Sequence, residues 1–481
     1  MKLKQLFQSQ DMTTGKPWAK ILLFSVPLLL SNIAQQLYST VDSIVVGRYI
    51  GDDAIASVNA SMPIIMMLMV FFVSISSGSS VMVSQYFGGK RREELSRSIG
   101  VTLSLTFLAS VFIMIIGPLV APGILRLMQT QPRYFDWSLS YLQIILFGIM
   151  GFAYYNILAG ILRGLGDSTS SLIFIVIATT INIALDLLFV AVFEMGVAGV
   201  AIATLIAQAI SALLTLNRLR KFDEFDLKWE YLKLKPVYVK QLLKLGLPTG
   251  VTQMIFSMAM LFTQSLTNLI DIAAVTGIVM RVDGFAMQPN FSFGIAMATF
   301  TGQNIGAGRL DRVIEGRKQG LILALATTTA ITILIVIFGK NLMYLFSSTE
   351  SLVNLAYNMM LILTIGYLAF TVTQVLGGIQ RGAGDTVTPM YIAIFNTVII
   401  RVPLAYLIAH LTKTPEWPHG QPIALFLSLA ITWILGAVLN ALAYSRGKWK
   451  QKALIHSEES QLNNVDLTLP DTSGQTESET I

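Results

Sequence analysis

The 481-residue chain contains no cysteine, so neither disulfide nor thiol chemistry can enter its function. Charge is scarce as well. Asp, Glu, Lys and Arg make up 12% of the residues against 54% hydrophobic ones, about half the charged share of an ordinary soluble domain. Histidine occurs only at His410, His419 and His456, at or beyond the edges of apolar runs, which excludes a histidine relay inside a membrane. A phosphate-binding loop is missing too. Gly89-Lys90 is preceded by Ser84 where the first glycine belongs, and Arg91 replaces the hydroxyl. ATP is therefore not the expected power source, which leaves an ion gradient. No small-residue cleavage site precedes the first apolar run, so that run reads as a retained helix and not a signal peptide.

What the chain does contain is apolar runs of about 20 residues, each long enough to cross a bilayer as a helix. Twelve can be marked, at roughly 18–46, 55–84, 96–118, 138–160, 169–193, 196–217, 240–268, 273–302, 317–338, 355–378, 388–410 and 421–445. The expected class is an all-α integral membrane protein. Its parts are an N-tail (1–17), a first lobe of helices 1–6 (18–217), a charged linker (218–239), a second lobe of helices 7–12 (240–445) and a tail (446–481). That tail is rich in Ser, Glu, Asn and Thr, with too few apolar residues to fold.

An internal repeat supports the two lobes. Gly160-Ile-Leu-Arg-Gly-Leu-Gly-Asp167 returns 218 residues later as Gly378-Ile-Gln-Arg-Gly-Ala-Gly-Asp385, with six of eight positions identical. The same offset relates Gln85-Tyr-Phe-Gly88-Gly-Lys-Arg91 to Gln303-Asn-Ile-Gly306-Ala-Gly-Arg309. A duplicated half is the economical explanation. Each half has an even number of spans, so both enter the membrane the same way. The two six-helix bundles should then be related by a pseudo-two-fold axis along the membrane normal, with a cavity between them. If both termini are cytoplasmic, 26 of the 33 basic residues face the cytoplasm, five face outward and two lie within spans, as the positive-inside rule requires. The net charge of +6 is then explained by loops facing anionic lipid, and nucleic acid is not an expected partner. The octets read as tight reversals in which Asp167 and Asp385 cap the next helix and Arg163 and Arg381 hold a carbonyl or carboxylate. The Gln85 and Gln303 stretches read as hinges of the same kind.

Ionisable residues inside a membrane are costly and are functional candidates for that reason. Asp42 lies six residues before Arg48, and Asp186 lies eight before Glu194 with Asn182 one turn deeper. Thr204 lies eight residues into the following helix. At about 1.5 Å per residue these side chains share a layer roughly 9 to 18 Å below the outer surface. Asp42 can also be read as a boundary acid. Asp186 stands among Leu185, Leu187, Leu188 and Phe189, where a carboxylate needs a proton, a cation or a hydrogen-bond donor. The second half differs, because the offset places Leu404 opposite Asp186 and Ile400 opposite Asn182, with Arg401 alongside. Asp283 and Arg281 could neutralise Arg401 as a structural ion group, or serve transport. Pro27 and Pro248 interrupt helices 1 and 7 and make them bendable. Gln35, Gln36, Asn59, Gln253, Gln264 and Gln288 could line a cavity. Methionines such as Met258 could repack around varied ligands, although helix packing explains any single one equally well.

In that order, Val-Asp42-Ser-Ile-Val-Val-Gly47-Arg, Gln85-Tyr-Phe-Gly88, Arg163-Gly-Leu-Gly-Asp167, Asn182-Ile-Ala-Leu-Asp186, Gly199-Val-Ala-Ile-Ala-Thr204, Arg281-Val-Asp-Gly-Phe, Gly302-Gln-Asn-Ile-Gly-Ala-Gly and the second octet resemble the multidrug and toxic compound extrusion (MATE) family, above all its DinF-like bacterial branch. The resemblance covers about residues 17–445. It implies a two-lobed, twelve-helix exporter in the bacterial inner membrane, a monomer that exchanges amphipathic organic cations for protons or sodium ions and needs no bound cofactor. It also implies a cation-coupling site at Asp42, Asn182, Asp186 and Thr204, holding sodium if sodium is the ion, and a bend at Pro27. A substrate cavity would draw on Gln35, Gln36, Asn59, Gln253, Gln264, Met258, Asp283 and Arg401. The acids of the second lobe in the NorM-like branch have no evident match. The alternative is a lipid-linked oligosaccharide or lipid flippase of the related superfamily, with Arg281 and Arg401 as anion contacts. A membrane-embedded enzyme would need a metal cluster or an activated nucleophile at one depth, and the sequence offers neither.

Overall fold

The computed structural model describes residues 9–454, which are helix, turn and loop without a strand. The first half comprises α1 (Pro17–Tyr49), α2 (Asp52–Gly88), α3 (Arg92–Leu127), α4 (Pro132–Phe147), α5 (Ile149–Gly164), α6 (Ser168–Asp186) and α7 (Gly196–Leu219). The second comprises α8 (Pro236–Ile270), α9 (Ala273–Ala286), α10 (Gln288–Gly306), α11 (Leu310–Tyr344), α12 (Glu350–Gly382), α13 (Val387–Ile394), α14 (Val402–Leu411) and α15 (Ile423–Ser445). Displacing α3 and the α4/α5 pair by 218 gives 310–345 and 350–382, against the observed Leu310–Tyr344 and Glu350–Gly382. The duplication is thus a duplication of structure.

Among the described residues, ten helical segments are long and apolar enough to cross a membrane singly, and α4 and α5, bent by 51°, make an eleventh span. The stretch expected as a twelfth span, 273–302, is not among the segments long and apolar enough to cross a membrane and is helical as α9 and α10, split at Met287. The cause is Pro289, in the first turn of α10. Its ring removes an N–H and clashes with the carbonyl one turn earlier, whereas α2 has Phe71 at the equivalent place and runs through.

The lobes interlock by exchange. α1 packs on α6 of its own half and crosses onto α10 and α11, while α8 packs on α13 and crosses onto α2 and α3. Glycine makes the crossing possible. A Cβ at Gly88 would collide with the Gln303 carbonyl, and one at Gly306 with that of Gln85, so the α2 and α10 backbones touch where they cross. Gly88→Ala is therefore expected to destabilise this arrangement by about 1–3 kcal/mol, the usual cost of overpacking, read as a lower apparent melting temperature. An unchanged melting temperature would mean that the contact carries no load.

At this crossing the two motif glutamines, read from sequence as hinges, form a reciprocal clasp. Gln85 donates to the Gly382 carbonyl at 2.8 Å and accepts from Leu454 N at 2.9 Å. Gln303 donates to the Gly164 carbonyl at 3.0 Å and accepts from Met12 N at 2.9 Å. Each glutamine reaches the opposite lobe's octet and one of the chain's terminal segments. Arg312 adds bonds to the carbonyls of Met12, Thr14 and Gly15 at 3.1, 3.3 and 2.9 Å. The octets are the tight reversals expected. Gly166 and Gly384 adopt φ of +86° and +94°, and Asp167 caps α6 by accepting from Ser170 N at 2.9 Å.

The tail departs from expectation at its start. Residues 446–454 pack against the bundle, with Trp449 only 1% exposed and its indole donating to the Tyr444 carbonyl at 3.0 Å. One large aromatic and the apolar pair Ala453 and Leu454, both buried, suffice to dock a short segment, although average composition called it unfoldable. The expected disorder of 455–481, like residues 1–8, lies outside the described residues. The linker also packs: Ser104 donates to the Leu232 carbonyl at 2.6 Å, and Arg92 pairs with Asp226 at 2.9 Å.

Candidate ion and cargo site

Asn182 and Asp186 stand one turn apart at the end of α6, and both are fully buried. The chain then widens into a π-helical turn, Leu187–Val192, a local unwinding often found at functional sites. α1 packs along α6 and brings Asp42 to the same place. With its amide nitrogen turned toward the acids, the orientation its hydrogen bonding requires, Asn182 donates to Asp42 Oδ1 at 3.2 Å and to Asp186 Oδ2 at 3.1 Å. The two carboxyls also lie within hydrogen-bonding reach of each other. Among the described residues Asp186 Oδ1 has no hydrogen-bond partner.

Thr204, on α7, joins this group at one remove. It accepts a 3.2 Å hydrogen bond from Tyr38, which stands one turn before Asp42 on α1, while Tyr141 from α4 lies beside both acids. These two tyrosines escaped the sequence reading. The i, i+4 spacing of Tyr38 and Asp42 was an available signal for the first. Nothing local marks Tyr141, because its position depends on how α4 packs.

Two carboxyls this close cannot both remain charged without cost. At 4 Å two like charges repel by about 4 kcal/mol even at an effective dielectric constant of 20. A single proton between them, or one small cation, removes that repulsion. The surrounding donors are oxygens, and the described residues contain no cluster of three or more His, Cys, Asp or Glu that could hold a metal ion.

Asp42 and Thr204 also line a cavity of about 200 Å³ together with Gln35, Asn59, Met62 and Met69. Asp42 is therefore more than a boundary acid. The other expected cavity residues fall elsewhere. Gln36 is exposed on α1. Gln253, Met258 and Gln264 are exposed along α8 and line neither this cavity nor that of the second lobe, and Gln264 donates to Asn268 Oδ1 at 2.9 Å. Pro27 and Pro248 lie within the continuous helices α1 and α8.

In the second lobe Arg401 ends a second π-helical turn, Phe395–Arg401. It donates to Thr263 Oγ1 at 3.3 Å and forms no salt bridge with Asp283, although the two interact electrostatically at longer range. Asp283 lies instead against the Tyr367 hydroxyl. Arg281 is exposed and stacks over Phe346 at 5.3 Å. The expected ion group is therefore dispersed, because Arg401, Asp283 and Arg281 each meet a different partner: Thr263, Tyr367 and Phe346.

A model of the MatE family matches residues 27–188 and 248–407. The probable multidrug resistance protein YoeA of Bacillus subtilis (strain 168) is 31% identical over 461 residues, covering 93% of this chain and 97% of that protein. The probable multidrug resistance protein YpnP of the same organism is 28% identical over 455 residues, covering 93% and 99%. Among solved structures, a multidrug resistance MATE family transporter of the MOP superfamily in its outward-facing conformation superposes with a TM-score of 0.84 at 22% identity, covering 91% of this chain and 99% of that one. A MATE protein in complex with MaL6 gives 0.85 at 22% identity, covering 92% and 98%.

Proposed function

The chain belongs to the MatE family of membrane transporters, and on that premise we propose that it is a secondary multidrug exporter that exchanges amphipathic organic cations for protons. It is a multi-pass membrane protein by its helices and its family. We place it in a bacterial inner membrane as a monomer with both termini cytoplasmic, an orientation favoured by the asymmetry of its basic residues. No bound cofactor is needed, since an ion gradient supplies the energy.

The observation that carries this reading is the carboxyl pair Asp42 and Asp186 beside an apolar, methionine-lined cavity. A proton entering from outside neutralises the pair, and a cationic cargo in the same cavity competes for the same negative charge. Linkage makes the effect reciprocal, so each weakens the other's binding by the same factor. α1 carries Asp42 and contains Pro27, where a missing backbone bond lets the helix repack as the charge changes. A sodium ion at Asp42, Asn182, Asp186 and Thr204 is the other candidate. The two carboxyls lie within hydrogen-bonding reach of each other, which supports the proton, because one proton can bridge such a pair directly.

The flippase alternative expects Arg281 and Arg401 to contact one anion. The exposed position of Arg281 speaks against their acting together. The test is ethidium efflux from liposomes under an imposed proton or sodium gradient, one at a time. The proton gradient is expected to drive efflux and the sodium gradient not to. Efflux driven by sodium alone would replace the ion, and no efflux under either gradient would remove the antiport reading.

A further inference from the structure

The second lobe holds a cavity of about 90 Å³ that this function leaves unused. It is lined by Arg381 and Arg401, without a single acidic residue, and by Asn396, Asn440, Phe370 and Trp433 among others. Two guanidiniums facing one cavity with no acid in its wall is unusual, because charges withdrawn from water normally pair.

The duplication explains how Arg381 came to be free. Its counterpart 218 residues earlier, Arg163, donates to Ser76 Oγ at 3.2 Å. The residue corresponding to Ser76 is Gly294, and a Cβ built there would lie 3.4 Å from Arg381 Nη2. The second half has the same arginine in the same place but lacks the hydroxyl that satisfies it. Among the described residues Arg381 has neither a hydrogen bond nor a salt bridge, although it lines this cavity. Both charged residues lining this cavity are cationic, Arg381 and Arg401, and Asp283, which acts on Arg401, does not line it.

We propose that this cavity binds a singly charged oxyanion, the carboxylate or phosphodiester group of an amphiphile, with Arg381 as its principal contact. Guanidinium matches the planar, two-oxygen geometry of such groups. One water needs about 10–15 Å³ by this measure, so the cavity has room for an anionic head and the atoms next to it. Phe370 and Trp433, with ring centres 5.5 Å apart, form an aromatic wall for the atoms next to it. The lobes would then differ in polarity: an acidic site for cations in the first, a basic site for anions in the second. A free carboxylated compound and an anionic lipid headgroup share this chemistry.

The test uses the full chain in phosphatidylcholine nanodiscs, with tryptophan fluorescence reporting through Trp433. Benzoate is the probe, and methyl benzoate its neutral analogue. Benzoate is expected to change the emission saturably and methyl benzoate not to. Arg381→Gln should weaken benzoate binding at least about tenfold, the typical worth of one charge-assisted hydrogen bond. Should that variant fold poorly, Gly294→Ser serves instead. It returns the hydroxyl present in the first half, ties up Arg381 and should weaken binding several-fold with the arginine still in place. Including phosphatidylglycerol in the nanodiscs separates the sources. A fall in apparent benzoate affinity assigns the site to a lipid headgroup, and no change assigns it to soluble carboxylates. Wild type that fails to bind benzoate while still binding ethidium overturns the proposal without touching the exporter reading. So does benzoate binding that survives both substitutions. Benzoate binding in a protein that exports no cation would uphold this site and sink only the exporter.

Discussion

Asp186→Asn is expected to fold, insert and bind ethidium, and to lose gradient-driven export by about 100-fold or more, equivalent to about 2.7 kcal/mol of lost coupling. The replacement has nearly the same shape. It leaves the packing around this fully buried position intact and can still hydrogen-bond to Asn182 and Asp42. What it cannot do is exchange a proton. With the group permanently neutral, the pair no longer alternates between a state that repels a second negative charge and one that does not, so cargo and ion cease to compete. Removing a buried charge also relieves desolvation, and the thermal unfolding temperature should stay level or rise. Asp42→Asn should lose export as well, and because Asp42 lines the cavity it should also weaken ethidium binding. Ethidium efflux from liposomes, with unfolding followed in parallel, checks both claims. Export at the wild-type rate from folded Asp186→Asn would take this residue out of the mechanism.

The second large effect concerns the clasp where the lobes cross. Gln85→Ala combined with Gln303→Ala removes four hydrogen bonds that join the lobes and both terminal segments. At roughly 1 kcal/mol each, before any cost of the backbone groups left unpaired, the closed state loses about 4 kcal/mol, near a thousand-fold in its equilibrium with an opened one. The cysteine-free chain provides a clean background for the measurement. Ser84→Cys places one thiol at a fully buried position against Gly302. Its reaction with a membrane-impermeant maleimide, applied from the side of the termini, should quicken more than about tenfold in the double variant, a conservative part of the energetic shift. Each single variant should produce a smaller change, and because both glutamines sit at the one α2–α10 crossing their effects are coupled and not simply additive. Identical labelling rates in wild type and the double variant would mean that the clasp does not hold this end shut.

The clasp also illustrates what a linear reading cannot reach. Both glutamines were visible as members of a repeated motif, and their offset correctly assigned them to equivalent places. Their partners, however, lie 297 and 139 residues away. No local period encodes such a pairing. It exists because Gly88 and Gly306 let two helix backbones touch, which becomes apparent only when the helices are assembled. Arg401 and Asp283 make the opposite case. The sequence grouped them as a possible ion pair, yet in the structure Arg401 bonds to Thr263 and forms no salt bridge with Asp283.

The sequence by itself determined the membrane class, the duplicated six-span halves, the capped octets and the presence of Asp42, Asn182, Asp186 and Thr204 in one layer. These follow from local quantities: the cost of desolvating charge, the rise of a helix per residue, and a repeat that survives in residue identities. The tertiary structure decided which of those residues meet. It joined Asp42 and Asp186 through Asn182, interposed Tyr38 before Thr204, added Tyr141, and left Arg381 unpaired where the first half supplies Ser76. Depth in a membrane is a one-dimensional coordinate that the chain writes directly. Contact depends as well on helix rotation and crossing, which packing sets across hundreds of residues.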